Sequence, residues 1–260
     1  MKLKLLHWNT LATRFAEQDF PKVALRDEVL PWSRRMPRIL ATLCDELPDV
    51  ACLVEVDRPE CLEVKGTYCR LFVKKNAPDS PDGALILFRV ATMGLLRCVN
   101  VPLLGSQNAV VCLFVHKPTG RPLVVAATHL KAKPEFAELR TRQAELVVAA
   151  VTTMRAEADA KCAVILGDMN DEPASPALVV FGRGGFFPAH PTGGDVFTTC
   201  KWREETGLVR RTIDYILVQP AARVSGAEIV GMKRVPQEGL PSLETPSDHL
   251  PLTATVEFLE

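Results

Sequence analysis

Short runs rich in valine, isoleucine and leucine recur along the whole chain, and they limit the folds that it can adopt. Runs of this composition are typical of strands buried on one or both faces. They predict β-strands over residues 3–9, 49–56, 68–75, 83–90, 108–117, 122–130, 162–169, 212–218 and 251–258. Helices are fewer, so the apolar faces of these strands must pack mainly against other strands.

Two long helices are predicted, over residues 34–47 and 135–157, and a short one begins at Ser175 with Pro176 in its first turn. In the second helix, Phe136, Leu139, Gln143, Leu146, Val147, Ala150 and Met154 are predicted to form the buried stripe. Residues 182–207 are rich in Gly and Thr and are expected to form loops. We therefore predict an α/β (α+β) fold, a four-layer α/β sandwich of two packed mixed β-sheets flanked by helices.

Composition narrows the class of protein. The 260 residues, 47% of them hydrophobic, suit one domain over 1–260. Lys plus Arg and Asp plus Glu both number 31, so the chain shows no general electrostatic attraction to nucleic acid, although local charge segregation stays open. The eight cysteines have no zinc-binding spacing, and reduced thiols indicate an intracellular, cytoplasmic protein. No apolar run of about 18 residues exists, so no membrane span is expected.

Polar or acidic side chains stand at the ends of several predicted strands. They are Asn9, Glu55, His129, Asp168, Asn170, Asp214, Asp248 and His249, with Gly167 expected to turn the chain before Asp168. Strand ends on one rim of a sheet lie close together, so these groups could meet at one point. Each has a simpler explanation: Asn9 as a turn residue, His129 as a hydrogen-bonded core histidine, and Asp168 with Asn170 as an Asx-turn and helix cap.

Six motifs give these residues a shared context. "HWNTLA" (7–12), "CLVEVD" (52–57), "THLKAK" (128–133), "ILGDMNDEP" (165–173), "TIDYIL" (212–217) and "PSDHLPL" (246–252) occur in the order found in the endonuclease/exonuclease/phosphatase superfamily, which the chain resembles over nearly its whole length. Within it, the chain is most similar to nocturnin and the related poly(A) deadenylases, with which it shares "PDGAL" (81–85).

The chain departs from that pattern in places. Val54 replaces the usual Gln before the glutamate, and "TTW" becomes Thr198-Thr199-Cys200 with Trp202 two positions later. The segment between 57 and 68 is short, and no leucine-rich repeat is present that would dock the chain onto a large deadenylase complex. These changes put base recognition in doubt and leave the hydrolytic residues in place.

The resemblance implies a hydrolase of phosphate esters that uses Mg²⁺, or Mn²⁺ in its place, held by Glu55, Asn9 and Asp248. The roles that it implies for the other residues are as follows: Asp168 orients or deprotonates the attacking water, Asn170 and His129 bond the phosphate, His249 contacts it, and Asp214 holds His249. Asn108, Lys131 and Lys133 are the implied substrate-binding residues.

Three functions stay open from the sequence. The first is a 3′ exoribonuclease acting on poly(A), and the second is a phosphatase that removes the 2′ phosphate of NADP(H); DNA-repair or inositol-phosphate enzymes are more remote. The third is an inactive binding module, against which the complete acidic and histidine set argues. The partner is thus an RNA 3′ end or an adenine nucleotide, bound by a monomer. "KWREETGLVRR" (201–211) is either a nucleotide-binding patch or a solvated loop.

Overall fold

Two mixed β-sheets form the centre of the computed structural model, which describes residues 1–18, 20, 23, 25–77, 79–203, 205–219 and 222–259. The strands are β1 Lys2–Asn9, β2 Val50–Val56, β3 Tyr68–Lys74, β4 Gly83–Arg89, β5 Met93–Pro102, β6 Asn108–His116, β7 Arg121–His129, β8 Cys162–Asp168, β9 Phe187–Pro188, β10 Thr199–Arg203, β11 Gly207–Arg211, β12 Asp214–Val218, β13 Ala222–Ile229 and β14 Leu252–Phe258. The helices are α1 Thr13–Gln18, α2 Arg26–Val29, α3 Trp32–Glu46, α4 Ala137–Glu157 and α5 Pro176–Arg183, with 3-10 turns at Pro59–Cys61, Pro134–Phe136 and Met232–Arg234.

Among the described residues, each large sheet has six strands. Sheet A has the order β13-β14-β1-β2-β4-β3, and sheet B has the order β5-β6-β7-β8-β12-β9. Strands β10 and β11 form a separate hairpin. Strand β1 runs parallel to β2 in sheet A, and β7 runs parallel to β8 in sheet B. Asn9 at the end of β1 donates a hydrogen bond to Asp168 at the end of β8, so the carboxyl ends of these four strands lie at one rim.

The apolar core has three layers that follow the two-residue period of the strands. Alternate residues such as Val164 and Leu166 pack between the two sheets, while Ile165 faces outward. Helix α3 covers the outer face of sheet A, and helices α4 and α5 cover the outer face of sheet B. The predicted four-layer sandwich is therefore confirmed.

All nine predicted strands are present, and their ends lie within two residues of the prediction. The predicted helix start at Ser175 is also present, because Ser175 Oγ accepts a hydrogen bond from the Leu178 amide at the start of α5. In the described part of the chain, the prediction missed five strands with many exposed or half-buried residues: β5, β9, β10, β11 and β13. The predicted loop over 182–207 was partly wrong, because it contains the end of α5, all of β9 and β10, and the start of β11.

Two further expectations were wrong. In α4, Leu146 is 37% exposed, and Arg140, Ala144 and Val151 join the buried face. Gly167 does not turn the chain but continues β8, where an added Cβ would lie 2.3 Å from the Thr128 carbonyl oxygen. Glycine there lets β7 and β8 approach at the rim. Within the described residues, no helix is both long and apolar enough to cross a membrane.

Candidate active site

Three of the expected residues form one row across sheet B. The strand register pairs His129 with Asp168 and Asp168 with Asp214. Asp168 and Asp214 have the same parity as Leu166 and Ile216, which pack between the sheets, so the row faces the inter-sheet space at the rim. His129 Nε2 lies 3.7 Å from Asp168 Oδ2.

Sheet A brings Asn9 and Glu55 to the same rim by different means. Asn9 ends β1 in phase with Leu3 and Leu5, whose side chains pack between the sheets. Glu55 does not follow this pattern. Leu53, two residues earlier, faces α3, so regular alternation along β2 would also direct the Glu55 side chain toward α3. An irregularity between Leu53 and Val56, with a φ of 55° at Glu55, re-aims its side chain.

The Asn9 side chain connects the two sheets. Its Nδ2 donates to Glu55 Oε1 and to Asp168 Oδ2, each at 3.0 Å. Its Oδ1 accepts from the Leu11 amide at 3.0 Å, which fixes the orientation of the amide group. Glu55 and Asp168, far apart in the chain, are thereby held side by side.

His249 is fixed through its backbone and through its ring. Trp8 Nε1 donates to the His249 carbonyl at 2.8 Å, and Ser247 Oγ accepts from the His249 amide at 3.2 Å while donating to the Asn9 carbonyl at 2.6 Å. His249 Nδ1 lies 2.8 Å from Asp214 Oδ2. Its Nε2 faces the space between Asp168 and Asp248, 3.9 and 3.8 Å from their Oδ2 atoms.

The His249–Asp214 contact is a buried charge pair. Burial alone would lower the pKa of His249, but the Asp214, Asp248 and Asp168 carboxylates outweigh it and raise that pKa to about 10. Burial would raise the pKa of Asp214, but the nearby His249 and His7 lower it. His249 is therefore an imidazolium and Asp214 a carboxylate at neutral pH.

The other two members of the row titrate differently. Burial, followed by repulsion from Asp214, raises the pKa of Asp168 to about 6. Burial, followed by the positive charge of Lys75, holds the pKa of His129 well below 6.5. At neutral pH the row therefore contains a weakly basic carboxylate beside a neutral imidazole.

Asp248 is paired with a cation from the hairpin. Lys201 Nζ lies 2.7 Å from Asp248 Oδ2. Burial alone would raise the pKa of Asp248, but Lys201 and His249 lower it. The carboxylate predicted as a metal ligand thus already has a positive partner.

Several contributing residues were not identified from the sequence. His7 Nε2 lies 3.2 Å from Asp214 Oδ1, and Thr198 Oγ1 donates to Asp214 Oδ2 at 2.7 Å. Lys75 binds the buried Asp82 at 2.5 Å and lies close enough to affect His129. The sequence contained a signal for each residue. His7 shares the inward parity of Asn9, Lys75 shares that of Leu71 and Val73, and Thr198 belongs to the segment that corresponds to "TTW".

The acidic residues at the end of β8 and directly after it have two different sets of contacts. Asp168 enters the site, while Asp171 pairs with Arg140 at 3.0 Å and Glu172 pairs with Arg211 at 2.8 Å. Asn170 adopts a φ of 51°; its amide donates to Asp168 Oδ1 at 2.9 Å and its side chain to the Leu130 carbonyl at 3.0 Å. Asp171 and Glu172 therefore hold the surrounding loops.

The three predicted substrate-binding residues lie near the rim. Asn108 begins β6, and its Nδ2 donates to the Lys74 carbonyl at 2.9 Å, which ties the two sheets together. Lys131 and Lys133 follow β7. The Lys131 ammonium lies 5.1 Å from the centre of the Phe136 ring, and Lys133 is exposed.

The "KWREETGLVRR" segment is the β10–β11 hairpin rather than a loop, although Glu204 within it lies outside the described residues. Trp202 is 43% exposed on this hairpin. A contact between this side chain and a nucleotide base stays a prediction.

The donor set fits a hard divalent cation. The ligand atoms of Asp168, Asp214 and His249 all lie within 4.8 Å of one another. Because Asp214 is already engaged by two histidines, the remaining oxygen donors are Glu55 and Asp168, which Asn9 holds side by side. Two neighbouring carboxylates without a cation between them repel each other, and oxygen ligands of this kind suit Mg²⁺ or Mn²⁺.

Comparisons with known proteins identify the family of this chain. The Endonuclease/Exonuclease/phosphatase family matches residues 6–249. Nocturnin of Homo sapiens is 27% identical over 285 residues, which cover 99% of this chain and 66% of nocturnin. The chain thus spans somewhat less than two thirds of the length of that relative.

Two solved structures show the same fold. One is the human nocturnin catalytic domain with a bound sulfate anion, with a TM-score of 0.77, 22% identity, and coverage of 99% of this chain and 95% of that one. The other is ANGEL2, described as a 2′,3′-cyclic phosphatase, in complex with adenosine-2′,3′-vanadate, with a TM-score of 0.82, 21% identity, and coverage of 98% and 95%. The family match, over nearly all of the chain, assigns the protein to the endonuclease/exonuclease/phosphatase family of phosphoester hydrolases.

Proposed function

We propose that the protein is a divalent-cation-dependent phosphoesterase whose substrate is the 3′ end of RNA or an adenine-containing nucleotide, with 3′ exoribonuclease action on poly(A) as the first candidate. The single observation that supports it most is the His249–Asp214 ion pair placed opposite Asp168. A protonated donor and a carboxylate base face one space there, as in-line attack on a phosphate requires.

His249 would bind the phosphoryl group. Its Nδ1 is occupied by Asp214, so Nε2 is the donor available for a phosphoryl oxygen. The positive charge of the ring is maintained at neutral pH by Asp214, so it stabilises the negative charge that builds in the transition state. Asp214 acts on the reaction through His249 and is a positioning residue.

Asp168 would orient and deprotonate the attacking water. With a pKa raised to about 6, it is ionised at pH 7 and still a better base than an ordinary aspartate. Asn9 and the Asn170 amide each donate one hydrogen bond to it, which fixes its orientation. The neutral His129 beside it can donate a hydrogen bond to a phosphoryl oxygen without competing for the proton.

Glu55, with Asn9 beside it, would hold the cation. When bound, Mg²⁺ or Mn²⁺ supplies a Lewis acid that neutralises charge on the phosphoryl oxygens. Glu55 Oε2 also accepts from the Ala12 amide at 3.2 Å, so the carboxylate is oriented before any ion arrives. Its partial exposure leaves a path for the ion to enter.

Removal of the 2′ phosphate of NADP(H) is the second candidate. The net charge of zero offers no extended attraction for a long RNA, and it favours a small phosphorylated ligand. The relative described as a 2′,3′-cyclic phosphatase adds a third ester to test on this chain. All three candidates present a phosphate near an adenosine, so they place the same demands on the carboxylate and histidine row.

Product analysis separates these candidates. The purified protein is incubated with oligo(A), NADPH or adenosine 2′,3′-cyclic phosphate, with Mg²⁺ or with EDTA. Release of AMP supports the exoribonuclease, release of inorganic phosphate from NADPH supports the 2′-phosphatase, and ring opening supports the cyclic phosphatase. His249→Ala should abolish each reaction while the Asp159→Ala surface control retains it. Absence of all three reactions, or activity that survives EDTA, would contradict the proposal.

A further inference from the structure

A lysine ammonium lies within the carboxylate cluster at the rim. Lys201 Nζ is 2.7 Å from Asp248 Oδ2 and 5.8 Å from the centre of the Phe20 ring. The Asp248 side chain is 3% exposed and the Lys201 side chain 24% exposed. Pairs between exposed side chains contribute little, but this pair is shielded from water on the Asp248 side.

The hairpin that carries Lys201 is itself bonded to the Asp248 segment. Thr199 Oγ1 donates to the Asp248 carbonyl at 2.7 Å, and the Cys200 amide donates to the same oxygen at 3.3 Å. The ammonium and the carboxylate are therefore delivered by two segments in fixed register. Their contact is built into the backbone rather than formed by two mobile surface side chains.

The surrounding charges show what this ammonium balances. Its ion pair is with Asp248, at 2.7 Å, so this buried carboxylate is the charge that the ammonium balances. Arg35 is buried, and its hydrogen bonds go to the backbone carbonyls of Leu30, Thr10 and Pro246.

A third carboxylate near this cluster has its own hydrogen-bond partners. Asp57 Oδ2 accepts from the Thr13 amide at 2.7 Å, and its Oδ1 accepts from the Thr13 hydroxyl at 3.2 Å. Asp57 thereby fixes the start of α1. Among the described carboxylates of the cluster, Glu55 and Asp168 are left facing the site, and Asp248 is neutralised by Lys201.

We propose that Lys201 takes the place of a second cation at this rim: its ammonium neutralises Asp248 and keeps that carboxylate out of the divalent-ion site, so that the protein binds one ion through Glu55. This inference rests on the proposed metal site and concerns how many ions it holds and how tightly. It reassigns Asp248 from a metal ligand to the partner of a fixed organic cation.

Direct measurement of Mn²⁺ binding tests the proposal without an activity assay. Free Mn²⁺ is followed by electron paramagnetic resonance, and isothermal titration gives the stoichiometry. The wild type should bind one equivalent. Lys201→Met keeps most of the side-chain length and removes the charge. It should tighten Mn²⁺ binding by about tenfold or more and admit a second equivalent, because a nearby positive charge opposes a divalent ion at close range.

The matched variants separate the causes. Lys201→Arg keeps the charge and should bind one equivalent, as the wild type does. Asp248→Asn added to Lys201→Met should remove the second equivalent. Lys161→Met breaks an exposed lysine–aspartate pair elsewhere and should change nothing. Lys201→Gln provides the same charge removal should the methionine variant fail to fold.

The outcomes distinguish this inference from the proposed function. One equivalent bound with unchanged affinity in both Lys201→Met and Lys201→Gln would overturn the role of Lys201. Loss of wild-type Mn²⁺ binding in Glu55→Gln supports the metal site itself. Persistence of that binding in Glu55→Gln would remove the metal site of the proposed function, whatever the Lys201 variants show.

Discussion

Replacement of Asp214 by asparagine tests the central charge pair. The carboxylate receives hydrogen bonds from His249 Nδ1 at 2.8 Å, His7 Nε2 at 3.2 Å and Thr198 Oγ1 at 2.7 Å. Asparagine keeps one acceptor oxygen but presents an NH₂ group in place of the other and carries no charge. The imidazolium then loses its principal counter-ion while it stays buried.

The size of the effect follows from the His249 pKa. Its rise from 6.5 to about 10 corresponds to ~5 kcal/mol of net favourable interaction with the charged ring. Since burial opposes the charge and Asp214 is the largest favourable contribution, the pKa of His249 in Asp214→Asn should fall from about 10 toward its ordinary value of 6.5. The ring would be neutral at pH 8, and kcat should drop by about 10²- to 10⁴-fold, as for loss of an active-site proton donor.

Stability should change with a defined sign. The folded-state pKa of His249 lies above its unfolded value, so the pair stabilises the wild type fully below pH 6.5, and this contribution is lost as the pH rises through about 10. At pH 6 the variant should lose about 3–5 kcal/mol of unfolding free energy, the usual cost of removing one partner of a buried pair. The deficit should shrink above pH 9.

The assays are imidazole NMR in the metal-free protein, kcat with a phosphodiester substrate, and urea unfolding. Asp49→Asn is the matched control, because Asp49 is also buried and accepts hydrogen bonds from Lys4 and Thr92, at the opposite end of β2. It should cost stability and leave kcat unchanged. A protonated His249 at pH 8 in Asp214→Asn, with kcat within tenfold of wild type, would refute the reasoning.

Three other outcomes are expected. Glu55→Gln should remove Mg²⁺-dependent protection against thermal unfolding, read by calorimetry with and without the ion, and a Tm rise equal to that of the wild type would exclude Glu55 as the metal ligand. Gly167→Ala should destabilise the protein by ~3 kcal/mol in urea unfolding, because its Cβ would lie 2.3 Å from the Thr128 carbonyl. The folded protein keeps His129 neutral, so its contribution to the free energy of unfolding should be lost as the pH falls below 6.5. His129→Gln should therefore flatten that part of the curve of stability against pH. An unchanged slope would contradict the lowered pKa of His129.

The sequence predicts the central strands of both sheets and the edge strand β3, and it misses several exposed strands. Strands such as β8 are buried on both faces, so their sequences are continuous apolar runs, and short runs of this kind are typical of buried strands. Strands β5 and β13 have largely exposed faces, and their polar residues give no periodic signal. The same rule explains the hairpin β10–β11, which was expected to be loop.

The sequence predicts only in part how the site residues come together at the rim. Asp168 follows Val164 and Leu166 at two-residue spacing, so the alternation of the strand directs its side chain between the sheets. Asp171 lies outside this alternation and pairs with Arg140. Glu55 breaks parity, and only the irregularity in β2 brings it to the rim. A local backbone departure of this kind leaves no periodic trace in sequence, so the sequence singled out Glu55 as a carboxylate in an apolar run but did not predict how its side chain reaches the rim.

The charges at the rim explain how a chain of zero net charge can accept a phosphate ester. Asp168, Asp214 and Asp248 would repel a phosphate if they stood alone, but Asp214 is matched by the His249 imidazolium and Asp248 by Lys201. The unmatched negative charge that remains is the charge that a divalent ion would offset. Repulsion of a phosphate is therefore reduced locally, by cations fixed beside Asp214 and Asp248, without a basic surface.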